Sequence, residues 1–290
     1  MIRDTSGDCG DDVLNGAGPA RIEDSAAARA TAAPPARDDA PDLAKQVSRL
    51  AGPNPLLAIE RLIAGYGNMS VLHGIDLQLA AGQSICLIGP NGAGKSTVLN
   101  ALYGFAAIRG GTIKVEGRDV TRTGPSDKLS DLGIAYLLQG NSVFPDMTVE
   151  QNLRLGGYLK GKKPAREAAD GIFDLYPRLA ARRKHPARML SGGERRLLEI
   201  ARALVMNPRI LLVDEPSIGL EPRYTQMIFE LLRQLQRERG MSILMVEQNV
   251  RAGLQFADVG YALTAGKVVA VAPAAELLSS RAIERLFSPA

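Results

Sequence analysis

A chain of 290 residues, 46% of them apolar, holds enough material for one large domain or two modest ones with a sizeable core. Aromatic residues make up 4% and Trp is absent, which argues against base recognition on aromatic platforms. A net charge of +4 and a pI near 9.1 fit an Arg-rich soluble protein, a nucleic-acid partner or an anionic membrane surface.

Residues 1–54 are rich in Ala, Asp, Gly and Pro and lack sustained periodicity, so they read as a disordered extension, an inert leader or the product of a start codon assigned too far upstream rather than a regulatory tail. Only "PDLAKQVSRL" has the makings of a short helix. The segment carries six basic and nine acidic residues, which leaves +7 on residues 55–290. No charged-then-apolar leader opens the chain and no 18 apolar residues run together, so no helix is predicted to span a bilayer. Cys9 in the polar segment and Cys86 in an apolar run suggest no disulfide framework and a reducing compartment.

From Leu56 the signals become dense. "LLAIERLI", "IDLQLA" and "GTIKVEGRDV" alternate as half-buried antiparallel strands do. "QSICLIG", "IAYLLQ", "RILLVDE" and "MSILMVE" are short apolar runs suited to strands buried on both faces of a parallel sheet. Helical patterns separate them. Ile228, Leu231, Leu232 and Leu235 share one face, as do Leu197, Ala201, Leu204 and Val205. Between Thr148 and Pro186 the pattern is helical only, opened by a capping box of Thr148 and Gln151. "YALTAGKVVAVAPAAELL" predicts a hairpin turning at Ala265-Gly266, then a helix. The order of elements predicts an α/β fold.

The strongest chemical signal is Gly89, Pro90, Asn91, Gly92, Ala93, Gly94, Lys95 and Ser96, followed by Thr97. The run fits G-x-x-x-x-G-K-[ST], placed after an apolar strand and opening a helix. Glycines let backbone N–H groups curl around phosphate oxygens, and the helix N-terminus adds partial positive charge. Lys95 would reach the β- and γ-phosphates, and Ser96 would offer its hydroxyl to Mg²⁺. A second apolar run ends in Asp214 and Glu215. There Asp214 can hold the Mg²⁺ shell and Glu215 can polarise an attacking water. Leu190-Ser191-Gly192-Gly193-Glu194 stands before a helix and reads as a second anion-directed turn, or as a flexible turn before a helix.

Taken together, these motifs resemble the ATP-binding cassette of ABC transporters from about Leu56 to the C-terminus. The resemblance implies a P-loop NTPase core of mainly parallel sheet, an antiparallel β subdomain, and an α-helical subdomain over about 145–192. It implies ATP and Mg²⁺ as ligands. Ser191, Gly192, Gly193 and Glu194 would serve the nucleotide of a partner cassette in a head-to-tail dimer, with Glu194 replacing the more common Gln. Gln139 matches the glutamine that approaches Mg²⁺ and the attacking water, and Tyr66 matches the aromatic that stacks on adenine. Glu221 stands where many members have Asp, and Gln248 where most carry a histidine toward the γ-phosphate. An amide can donate to phosphate but cannot titrate near neutral pH. "VEQN", "FPDMTVEQNL" and "MLSGGERR" resemble one branch, the paired ATPases of branched-chain amino-acid importers and their urea-importing relatives. That branch implies a working rather than a degenerate cassette. Its partners would be membrane permease subunits, a second cassette and, indirectly, a substrate-binding protein, at the cytoplasmic face of the membrane. No nucleic-acid partner is expected. A soluble cassette acting on DNA or ribosomes usually carries a long coiled-coil insertion or a tandem repeat, and a small-molecule kinase leaves the Ser191 segment without a purpose.

Overall fold

The computed structural model describes residues 40–140 and 142–279, with side chains from Leu43 onward. Cys9 and most of the expected extension lie outside the described residues. The stretch assigned above to the end of that extension contains helix α1 (Ala40–Ala51). Leu43, Val47 and Leu50 pack on the core, Val47 and Ala51 are buried, and Gln83 Nε2 donates to the Leu50 carbonyl at 3.0 Å. The packed unit therefore begins before residue 55. A stripe of three apolar residues outweighs the polar composition around it, because burial depends on spacing rather than on average content.

Period-two alternation produces β1 (Leu57–Tyr66) and β2 (Met69–Leu79), which pair antiparallel. β4 (Ala107–Val115) joins β1 on its other edge and β5 (Arg118–Asp119) follows, so the small sheet runs β2-β1-β4-β5. β2 starts six residues before the alternating run that marked it. Irregularities in the β1–β2 register around Arg61, whose φ is 47°, break the alternation there.

The larger sheet has six strands. β3 (Ser84–Ile88), β6 (Ile134–Leu137), β7 (Ile210–Asp214), β8 (Ser242–Val246) and β9 (Val259–Thr264) run parallel in the order β9-β3-β8-β7-β6, and β10 (Lys267–Pro273) adds an antiparallel edge. β3, β7 and β8 are buried at every residue. Alternate residues enter two different cores. Ile85, Leu87, Ile210, Leu212, Leu244 and Val246 face the small sheet and helix α2 (Lys95–Tyr103). Leu211, Val213, Ile243 and Met245 face the helices on the other side.

Those helices are α4 (Val149–Gly156), α5 (Lys162–Leu175), α6 (Pro177–Ala180), α7 (Gly192–Leu204) and α8 (Pro222–Arg239). A short α3 (Pro125–Ser130) precedes β6. Thr148 and Gln151 form the expected capping box: Gln151 N–H donates to Thr148 Oγ1 at 3.1 Å and Thr148 N–H to Gln151 Oε1 at 2.8 Å. The predicted apolar faces of α7 and α8 are buried. α9 (Val250–Phe256) and α10 (Ala274–Ser279) complete the unit, and the final hairpin turns at Ala265 and Gly266, both with positive φ. Among the described residues, no helix is long and apolar enough to cross a membrane.

Candidate nucleotide site

Three neighbouring parallel strands fix the site. β3 pairs with β8, and β8 with β7, so the loops after Ile88, Asp214 and Val246 leave the same edge of the sheet. This carboxyl edge is where open α/β sheets place their ligands. The loop after β3 wraps into α2. Gly94 is the N-cap of α2 at φ 98°, and a Cβ there would lie 2.9 Å from Leu72 Cδ2, so both backbone angle and space require glycine. Pro90, Asn91 and Gly92 are exposed, whereas Ala93, Lys95 and Thr97 are buried. Ala93 is tied to the loop and to the final hairpin by backbone hydrogen bonds with Pro90 and Gly266. Lys95 Nζ donates to the Gly89 and Pro90 carbonyls at 2.9 and 3.0 Å. Burial lowers its pKa, opposed by the negative charges of Glu215 and Asp214.

Ser96 Oγ donates to Asp214 Oδ1 at 2.9 Å. Asp214 is buried at the end of β7, and desolvation raises its pKa against the hydrogen bonds from Ser96 and Tyr136. Both of these partners are neutral hydroxyls. A buried carboxylate with only neutral donors in contact, beside a serine hydroxyl, fits a hard divalent cation. Magnesium in phosphate sites takes one or two protein oxygens and leaves the rest of its shell to phosphate and water. The described residues contain no cluster of three or more His, Cys, Asp or Glu side chains that could hold a metal unaided.

Glu215 is also buried, and its φ of 47° is uncommon for a residue with a side chain. Its N–H donates to the Val246 carbonyl at 2.9 Å. Two amides grip its carboxylate: Gln139 Nε2 donates to Oε2 at 2.6 Å and Gln248 Nε2 to Oε1 at 3.0 Å. The polar end of "ILMVEQNV" thus divides three tasks. Glu247, buried, accepts from the Ser217 hydroxyl at 2.8 Å and from the N–H groups of Gln248 and Asn249. Gln248 holds Glu215. Asn249 caps α9 by accepting from the Ala252 N–H at 3.0 Å.

Tyr66, at the end of β1, is 44% exposed, and its hydroxyl accepts from Asn100 Nδ2 at 2.8 Å. Phosphate-loop residues, Asp214, Glu215, Gln139, Gln248 and Tyr66 are therefore brought to one edge. The Ser191–Glu194 segment is not joined to them by any hydrogen bond among the described residues. It forms its own capping box: Ser191 N–H donates to Glu194 Oε2 at 2.9 Å and Glu194 N–H to Ser191 Oγ at 3.3 Å. Gly192 is exposed, and Gly193 lies against α8, where a Cβ would sit 2.1 Å from the Tyr224 ring. Glu221 is the N-cap of α8 without a side-chain cap bond, and its carboxylate pairs with Arg223 Nε at 3.0 Å.

Sequence reasoning missed a buried pair behind the site. Arg196 Nη1 meets Glu199 Oε2 at 2.6 Å, and both side chains are under one-tenth exposed. Arg196 Nη2 reaches the carbonyls of Asp214 and Glu215 at 3.4 Å each, while Glu199 Oε1 accepts from the Ser142 N–H at 2.9 Å. The pair ties α7 to the end of β7 and to the loop that follows Gln139. Its i, i+3 spacing reads from sequence as an ordinary solvated pair; only burial gives it a role.

Comparison with known proteins agrees with this geometry. The family model described as "ABC transporter" matches residues 72–218. A probable branched-chain amino acid transport ATP-binding protein, LivF, of Archaeoglobus fulgidus is 36% identical over 231 residues, covering 80% of this chain and 98% of that protein. The high-affinity branched-chain amino acid transport ATP-binding protein BraG of Pseudomonas aeruginosa is 39% identical over 225 residues, covering 78% and 96%. A crystal structure of an ATP-binding cassette of an ABC transporter in its ADP conformation superposes with a TM-score of 0.72 at 27% identity, covering 80% of this chain and 98% of that one. A phosphate loop, a second glycine turn and an acidic pair in this order, with this fold and these relatives, leave one assignment: the chain belongs to the ABC transporter ATP-binding cassettes and is an ATP-hydrolysing transport subunit.

Proposed function

We propose that this subunit drives uptake of branched-chain or related amino acids, hydrolysing Mg²⁺-ATP between two cassettes and passing the closure to separate permease subunits. The observation that carries the reading is Glu215, a buried carboxylate held by two amides beside the Ser96–Asp214 pair. In this reading Gly89 to Thr97 cradle the phosphates, and Lys95 leaves its own loop carbonyls for phosphate oxygens. Ser96 and Asp214 would hold the cation and Gln139 would approach it, and when bound the cation would draw charge from the phosphates. Glu215 accepts the proton of the attacking water. Gln248 and Gln139 keep its oxygens aimed and are free to exchange Glu215 for phosphate or water. Tyr66 stacks on the base. Ser191, Gly192, Gly193 and Glu194 meet the nucleotide of a second cassette, either a copy or a sister chain.

The docking face for a permease helix lies after Gln139 and along α4. Tyr158 there is 76% exposed, beside Leu155, Leu159, Lys162 and Arg166. Between Val149 and Leu190 stand ten basic and four acidic residues. Nearly all the positive excess of the cassette thus sits on the segment that would face an anionic membrane at its cytoplasmic side. Cargo would be delivered by a separate binding protein.

Uptake of labelled leucine and, separately, labelled urea is the test, in intact source cells, cells lacking this chain and cells carrying only Glu215→Gln. Loss of leucine uptake in both altered strains is expected. Loss of urea uptake alone would reassign the cargo to the related importer, and no change in either would remove the importer reading.

A further inference from the structure

Asn100 and Tyr136 have no part in the reading above, yet they join the two ends of the site. Asn100 lies on α2, five residues beyond Lys95, and Tyr136 lies on β6 opposite Leu212 of β7. The Tyr66 hydroxyl takes a hydrogen bond from Asn100 Nδ2 at 2.8 Å. The Tyr136 hydroxyl lies 3.1 Å from Asn100 Oδ1 and 3.1 Å from Asp214 Oδ2. Ser96 occupies the other carboxylate oxygen at 2.9 Å. Each oxygen of Asp214 therefore has one neutral donor. The Tyr136 ring is itself wedged by aromatic neighbours, with centroids 5.4 Å from Tyr103 and 6.2 Å from Phe105. Packing, rather than the hydroxyl, sets where that hydroxyl stands.

Tyr136 has one proton and two acceptors. A carboxylate is the stronger acceptor, so the proton goes to Asp214. Turning the Asn100 amide by half a rotation then lets its NH₂ donate to the Tyr136 oxygen and its carbonyl accept from Tyr66. Each link of Tyr66–Asn100–Tyr136–Asp214 then joins one donor to one acceptor, and the donors run toward the carboxylate. We propose that Tyr136 and Asn100 are positioning residues that pin Asp214 Oδ2, so that Oδ1 and Ser96 face the divalent cation, and that link the cation to the aromatic Tyr66 at the base end of the nucleotide. Outer partners of this kind typically change metal affinity by roughly 10–100-fold.

The proposal rests on Ser96 and Asp214 taking Mg²⁺, so the experiment separates the two. ADP binding to the full chain is measured by calorimetry in EDTA and at rising Mg²⁺, for the wild type, Tyr136→Phe, Asn100→Ala, the double variant and Ser96→Ala. Tyr136→Phe keeps the packed ring and removes only the hydroxyl. It should raise the Mg²⁺ concentration for half-maximal enhancement of ADP binding about tenfold and leave binding in EDTA unchanged. Asn100→Ala should raise it less, and the double variant no more than Tyr136→Phe alone, as members of one chain do. If Ser96→Ala raises the Mg²⁺ requirement and Tyr136→Phe does not, the positioning role is wrong while the metal site stands. Strictly additive effects would remove the link through Asn100. If Ser96→Ala also changes nothing, the metal reading falls and takes this inference with it.

Discussion

The phosphate loop and the Ser191 turn are both glycine-bearing segments at a helix N-terminus, and the molecule treats them differently. The first emerges from a fully buried strand, and its Ser96 and Lys95 lie among groups delivered by β7, β8 and the loop after β6. The second is held by its own capping box and by contact with Tyr224, and its outward atoms meet none of those groups. A single chain thus gathers the first set of groups at one sheet edge and presents the second elsewhere. This is the division expected if two cassettes share each nucleotide.

The sharpest way to break the comparison is at Glu215. Glu215→Gln should cut phosphate release roughly 10²–10⁴-fold while ATP binding by filter assay persists. Gln139 and Gln248 donate to different oxygens of Glu215, and the variant amide puts an NH₂ group in place of one of them, so one of the two donors faces another donor unless it turns. Undiminished turnover would mean that the general base lies elsewhere. Next comes the pair that connects the two regions. Arg196→Met should cost about 3–5 kcal/mol in chemical denaturation, since it strands a buried Glu199, and Arg196→Met with Glu199→Leu should recover most of it. Turnover should stay low in the double variant, because the Asp214 and Glu215 carbonyls and the Ser142 N–H have lost their partners. Recovery of both stability and turnover would reduce the pair to packing.

Gly193→Ala probes the Ser191 side alone. The clash reaches the Tyr224 ring near its root, so the side chain cannot simply swing away, and a cost of about 1–3 kcal/mol is expected. Hydrolysis should fall while ADP affinity of the isolated chain is unchanged; a fall in that affinity would show that this segment serves its own chain's nucleotide. Gln248→His should have the smallest effect, with turnover within about tenfold of wild type. Imidazole titrates near pH ~6.5 and an amide does not. The pH–rate profile of the variant should therefore gain a transition there, and superimposable profiles would place residue 248 outside the hydrolytic step.

Much of this was legible in the chain. Buried parallel strands announce themselves as short apolar runs, because both faces are covered. The capping box at Thr148 follows from side-chain spacing alone, whereas the one at Ser191 and Glu194 has the same spacing but reads only as a turn. The α1 helix was obscured by the polar composition around it, and the early part of β2 by irregular pairing. Both are elements whose stability comes from what they pack against rather than from local pattern.

By itself the sequence determined the order of strands and helices, the phosphate loop, and the acids that end a buried strand, since these depend on neighbours within a few residues. Tertiary structure alone decided that Gln139 and Gln248, more than a hundred residues apart, grip opposite oxygens of Glu215. It also decided that Arg196 and Glu199 are buried, and that Asn100 stands between Tyr66 and Tyr136. Hydrogen-bond partnership and desolvation are set by which strands lie side by side, and no local pattern encodes that.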